Sequence, residues 1–149
     1  MRKLPILQFL PTLFLLILLV GCKKNSEPKT PEDMLKNGAW ILVSASANGT
    51  DVTSVIPDCV KDNETTFQGA GIGFTLEKAN VCSPSYETNF TWTLQNSNTT
   101  LSMSATLIPG GSGVFTVVTL NETNLVLSQE SSLIPSPTPV TVVATFRHL

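Results

Sequence analysis

Few residues of this chain could carry chemistry: one histidine, three cysteines, and a short acidic cluster of Asp58, Asp62 and Glu64 around Asn63. Nucleophilic catalysis needs a base beside the nucleophile, itself oriented by a third group. His148, the sole imidazole, stands next to the carboxyl end and reads as a solvated residue that closes the last strand. The acidic cluster offers the hard oxygen donors that calcium takes, without the ligand spacing of an EF-hand loop. It reads as a solvated loop in which Asp and Asn serve turns. Two thiolates, Cys59 and Cys82, with a single distant imidazole do not complete a tetrahedral zinc shell. The expectation is a protein that is not an enzyme, with no catalytic residue, no metal site and no cofactor.

The remaining cysteine, Cys22, closes an apolar run over 4–20 that follows the basic pair Arg2 and Lys3. A charged start, an apolar middle and a small-residue end are the parts of an export signal. Leu19-Val20-Gly21-Cys22 resembles the lipobox of bacterial lipoproteins. That resemblance implies a thioether-linked diacylglycerol on Cys22, cleavage before it, and a third acyl chain such as palmitate on the new amino terminus. The competing reading, a transmembrane helix, is weakened by Pro5, Pro11 and a length of about 17 residues, near the lower limit for spanning. Each buried methylene contributes about 0.8 kcal/mol, so several chains make a firm membrane anchor. The expected location is the bacterial cell envelope, at the outer membrane. Lys23-Lys24-Asn25-Ser26-Glu27 does not fix which face. In such an oxidising compartment Cys59 and Cys82 are expected to pair, the alternative being two free or buried thiols. A bridge across about 24 residues stabilises by roughly 3.5 kcal/mol in the chain-entropy model.

Loss of residues 1–21 leaves 128 residues, enough for one core. Arg2 and Lys3 depart with the leader, so seven basic residues face eleven acidic ones, a balance of −4. No basic stripe follows, and nucleic-acid binding is excluded on that ground. The segment 23–33, KKNSEPKTPED, is charged, proline-bearing and free of large apolar side chains. It reads as a solvated tether. The organisation is then a signal peptide over 1–21, a lipidated cysteine with flexible tether over 22–36, and a single domain over 37–149.

That domain is rich in Val, Thr, Phe and Ser, with turn signals at intervals of roughly eight to twelve residues and no helix-length periodicity. Strands are expected over 40–47, 64–68, 72–76, 90–94, 101–107, 114–120, 125–127 and 140–146. Phe90-Thr91-Trp92-Thr93-Leu94 alternates as a sheet with one dry face demands. A loop is expected over 55–59, and 133–139, with three prolines, suits a loop or an edge. Eight antiparallel strands joined by short hairpins either close into a barrel or stack as two sheets, and hairpin connectivity favours the barrel.

Gly38-Ala39-Trp40, Cys59-Val60-Lys61-Asp62-Asn63, Thr66-Phe67, Cys82, Thr91-Trp92-Thr93-Leu94 and Leu125-Val126-Leu127 follow one another in an order that resembles the lipocalin-like domains common among lipoproteins of Bacteroidetes and related bacteria. The resemblance implies an all-β, antiparallel, eight-stranded lipocalin-like (calycin-type) barrel with a Cys59–Cys82 bridge. Gly69-Ala70-Gly71-Ile72-Gly73 and the proline-rich 133–139 insertion depart from the pattern at what would be the barrel rim. Trp40, Phe67, Phe74, Trp92, Leu94 and Met103 are the large apolar residues expected to point inward. They either fill the interior or line a cavity for one apolar molecule. The leading expectation is a membrane-anchored binding module for a small hydrophobic ligand. The alternative is a cell-envelope interaction module with a packed core that binds a protein or glycan through its loops.

Overall fold

The computed structural model describes residues 27–108, 110–132 and 138–149. The expected signal peptide, Cys22 and the first residues of the tether (22–26), Pro109 and most of the proline-rich insertion lie outside the described residues.

The first element corrects the tether over 22–36. Helix α1 spans Pro31–Leu35, because Thr30-Pro31-Glu32-Asp33 is a complete start signal. The Thr30 hydroxyl accepts from the Asp33 N–H at 3.1 Å and the Asp33 carboxylate accepts from the Thr30 N–H at 3.3 Å, a reciprocal cap with proline at the first helical position. Leu35 at its end is fully buried.

Nine strands follow: β1 Ala39–Ala47, β2 Thr50–Asp51, β3 Glu64–Gln68, β4 Ile72–Leu76, β5 Thr88–Gln95, β6 Thr100–Met103, β7 Val114–Leu120, β8 Asn124–Ser131 and β9 Val140–His148. A 3-10 turn over Thr53–Val55 and a short helix α2 over Asp58–Lys61 occupy what reads as loop in the sequence. All pairings are antiparallel and sequential from β3 to β9, and β9 returns to β1 over the register Trp40↔His148 to Ala47↔Val142. The molecule is therefore a closed eight-stranded barrel, with β2 a two-residue flap beside the end of β1. Closure leaves no sheet edge unpaired along the main ring.

Two bulges re-aim the walls. The β1–β9 register slips between Leu42 and Ser44, and the β7–β8 register between Val117 and Thr119. The extra residues Val43 and Val118 face out and are exposed. A bulge changes which side of the sheet the following residues occupy. Trp40 and Leu42 point inward before it; Ala45 and Ala47 do so after it. Without the bulge, Ser44 and Ser46 would take those inward places.

β6 stops at Met103, short of the alternation that continues to Leu107. The Ser104 hydroxyl accepts the Thr91 N–H at 2.8 Å, so a side chain stands where the ladder would use a backbone carbonyl.

The packed core sits at the end of the barrel where β1 begins. Trp40, Phe67, Phe115, Leu101, Leu125 and Leu127 are buried there to 1% exposure or less. Phe67 meets Phe90 and Trp92 edge to face at 5.6 and 5.5 Å, an arrangement aromatic quadrupoles favour. α1 covers this end. The Trp40 indole N–H donates to the Leu35 carbonyl at 2.9 Å, and the Trp92 indole N–H to the Ile72 carbonyl at 2.8 Å.

Candidate functional site

At the opposite end the inward positions are occupied by small residues, and the barrel holds a cavity of about 390 Å³. β1 contributes Leu42, Ala45 and Ala47 to its wall; β9 contributes Val142, Ala144 and Phe146. The roof is the segment that crosses from β2 to β3, with Val52, Val55, Ile56, Pro57 and Val60 turned toward the space. Tyr86, Leu107, Ile108 and the buried Ser131 complete the lining. Eight strands give an interior just wide enough to be filled by side chains or to hold one small ligand, and residue volume decides between them. Here three alanines leave the space.

The roof is held by specific contacts. The Ala45 N–H donates to the Thr53 hydroxyl at 3.0 Å, and the Val52 N–H to the Ala45 carbonyl at 2.9 Å. The Asp51 carboxylate accepts the Thr53 N–H at 2.8 Å; hydrogen bonding from Thr53, its side chain first and this backbone N–H second, holds the Asp51 carboxyl below its ordinary pKa. The Cys59–Cys82 disulfide ties α2 to the 77–87 segment that carries Tyr86. Glu77 organises that segment: its carboxylate accepts from the Tyr86 N–H at 2.9 Å, the Ser85 hydroxyl at 2.8 Å and the Cys82 N–H at 3.1 Å. These bonds, the one from Tyr86 foremost, hold the Glu77 pKa below the ordinary glutamate value.

A smaller recess of about 50 Å³ opens beside the main chamber and shares Leu42, Val60, Tyr86, Leu107 and Phe146 with it. Asn63, Thr65, Thr75, Thr88 and Thr106 make it polar.

The six residues that the alternation points inward divide. Trp40, Phe67, Trp92 and Met103 are buried in the packed core, and Leu94 lies half-buried against it. Phe74 faces outward, because the inward positions of β4 are Gly73 and Thr75 and the Phe90 ring occupies the place a side chain at Gly73 would need. None of the six lines the 390 Å³ cavity. The residues that do, Ala45, Ala47 and Ala144 above all, carry a weak sequence signal: small side chains at inward positions.

His148, read as a solvated terminus, is half-buried. Its Nε2 lies 2.7 Å from the Asn37 carbonyl and its ring meets Trp40 edge-on at 5.3 Å. The acidic cluster is dispersed among separate partners: Asp58 with Lys61 at 2.9 Å, Asp62 with the Asn80 backbone and side-chain N–H groups at 2.9 Å each, Glu64 with Lys78 at 3.1 Å. No group of three or more His, Cys, Asp or Glu side chains gathers among the described residues.

A closed, sequentially wound eight-stranded barrel with a helix across one end and a chamber at the other defines a class of up-and-down barrels. The sequence profile of the lipocalin-like domain matches residues 37–127, and the chain belongs to that family. No curated protein matches the sequence. Among solved structures the chain is similar to Japanin from Rhipicephalus appendiculatus, determined bound to cholesterol, at 13% identity over 82% of this chain and 80% of that one, TM-score 0.49. It is also similar to bovine odorant binding protein in complex with undecanal, at 15% identity over 85% of this chain and 77% of that one, TM-score 0.46. The odorant-binding protein from bovine nasal mucosa shares 17% identity over 83% of this chain and 76% of that one, TM-score 0.46.

Proposed function

We propose that this chain is a lipid-anchored protein of the bacterial cell envelope that holds a small hydrophobic molecule in the open end of its barrel. The observation that carries the reading is the apolar chamber of about 390 Å³, a size within the range of about 300–1,000 Å³ used by small-molecule sites. Covering its walls with a ligand stabilises the complex by about 25 cal/mol for each Å² of apolar surface removed from water.

The path of the chain supports an orientation. Lys29 pairs with Glu122 in the β7–β8 turn at 3.3 Å, and α1 follows at once across the closed end. An acylated Cys22 upstream would therefore attach the barrel by its closed end and turn its mouth away from the bilayer. A ligand would then exchange with the aqueous side, and the barrel would act as a holder or carrier, with no chemistry on the bound molecule.

The test is a fluorescence titration of the purified protein with the neutral apolar probe N-phenyl-1-naphthylamine. Saturable binding is expected, weakened at least about tenfold by Ala45→Phe or Ala144→Phe, which fill the chamber, and unchanged by Phe74→Ala on the outer face. Absence of saturable binding would reject the reading in favour of an interaction module that works through its loops. For the anchor, Cys22→Ser should move the protein from the membrane fraction to the soluble one; an unchanged distribution would reject acylation.

A further inference from the structure

The chamber borders a polar recess, and one group in that recess is unpartnered. Asn63, just before β3, is 8% exposed, and its side-chain Oδ1 is buried without a hydrogen-bond partner. The neighbouring hydroxyls of Thr65 and Thr75 are 3.3 Å apart and serve each other. The recess in which these three groups sit shares five wall residues with the apolar chamber, so a molecule filling the chamber can extend a polar atom into it. A buried acceptor left unpaired is costly, and a donor supplied by a ligand removes that cost.

Charge narrows the class further. No Lys, Arg, His, Asp or Glu is among the residues lining either space. An ionised head group would be buried there with no counter-charge, which is far more unfavourable than burying a hydroxyl. A pure hydrocarbon would leave Asn63 as it is.

We infer that the occupant is a neutral long-chain alcohol: an apolar body in the chamber and one hydroxyl that donates to Asn63 Oδ1. The inference rests on the reading of the barrel as a ligand holder and adds what kind of ligand it selects. Asn63 is then the residue that sets specificity, and the apolar walls supply affinity without discrimination.

The experiment is displacement of N-phenyl-1-naphthylamine from the purified full-length protein by three chains of equal length: dodecanol, dodecyl methyl ether and dodecanoate at neutral pH. Dodecanol should displace the probe at a concentration about tenfold below the ether, the worth of one hydrogen bond to a buried neutral acceptor. Dodecanoate should be the weakest. Asn63→Leu should bring the alcohol to the level of the ether, and the alcohol-to-ether ratio of the unaltered protein decides the matter even where that variant does not fold. Equal potency of alcohol and ether would overturn the inference, because a water molecule then satisfies Asn63. Dodecanoate as the best competitor would overturn it too. Failure of the probe itself to bind removes the ligand-holder reading and this inference together, whereas equal potency with a bound probe removes the inference alone.

Discussion

The two ends of the barrel are built by the same strands on the same alternation and reach opposite results. At the closed end, inward positions carry Trp40, Phe67, Trp92, Leu101 and Phe115, and both indole N–H groups find backbone carbonyls, so the interior there is dense. At the open end the same rows carry Ala45, Ala47 and Ala144, and the interior is a chamber. Alternation therefore decides which side chains enter the barrel, and their volumes decide whether it becomes a core or a site. The Val43 bulge matters to the second outcome, since it exchanges Ser44 and Ser46 for two alanines on the inner wall. The closed end supplies stability; the open end, roofed by 52–61 and the 77–87 segment, supplies access.

The widest separation between the ends should appear in stability. Trp40→Ala removes a fully buried indole and orphans the Leu35 carbonyl, and a cost of about 3–5 kcal/mol is expected. Ile56→Ala, on the half-buried roof, should cost about 1 kcal/mol or less. Urea unfolding followed by far-ultraviolet circular dichroism measures both, and similar costs would abolish the distinction between a structural and a functional end. Next comes the bridge. Replacing Cys59 and Cys82 together by serine removes a closed loop of 23-residue separation and should cost about 3.5 kcal/mol. It should also weaken N-phenyl-1-naphthylamine binding, because the bridge joins roof to rim; Trp40→Ala, where it still folds, should leave that binding within about twofold. A disulfide variant that binds the probe normally would mean that the roof is held without the bridge.

How far the sequence discloses this division is itself uneven. The strands over 64–68, 72–76 and 114–120 match the structure residue for residue, and the cysteine pair is joined, because alternation and cysteine usage are local properties. The closed end was legible through its large residues. The open end was not: alanines announce nothing, and a bulge such as that at Val43 is set by β1–β9 pairing between residues about a hundred positions apart in sequence. The same holds for Phe74. Its alternation with Leu76 is plain, but only the packing of the Phe90 ring over Gly73 determines that Gly73 and Thr75, and not Phe74, face inward. α1 was readable in principle from Thr30-Pro31-Glu32-Asp33, and was hidden by the charged composition around it. Asn63 reads as a turn residue, and nothing before the fold shows that its carboxamide closes a recess.

The finest contrast between the ends lies in their response to acid. Among the described residues the packed core is built from apolar side chains, and the Asp33 carboxylate at that end serves the cap of α1, whereas the rim segment depends on Glu77, which accepts from Tyr86, Ser85 and Cys82. The Tyr86 N–H bond, with the Ser85 and Cys82 bonds behind it, depresses the Glu77 pKa in the folded state. A depressed carboxyl stabilises the fold fully above the unfolded value of about 4.3 and loses that contribution as pH falls toward the folded value. Protection of the Tyr86 and Cys82 amides against hydrogen exchange, corrected for intrinsic rate, should therefore fall as pH drops below that unfolded value, while amides of the β8–β9 ladder keep theirs. Glu77→Gln should show the lower protection at every pH and lose the pH dependence. Flat wild-type protection through that range would assign the order of the rim to the disulfide alone, and the acid sensitivity that separates mouth from core would disappear with it.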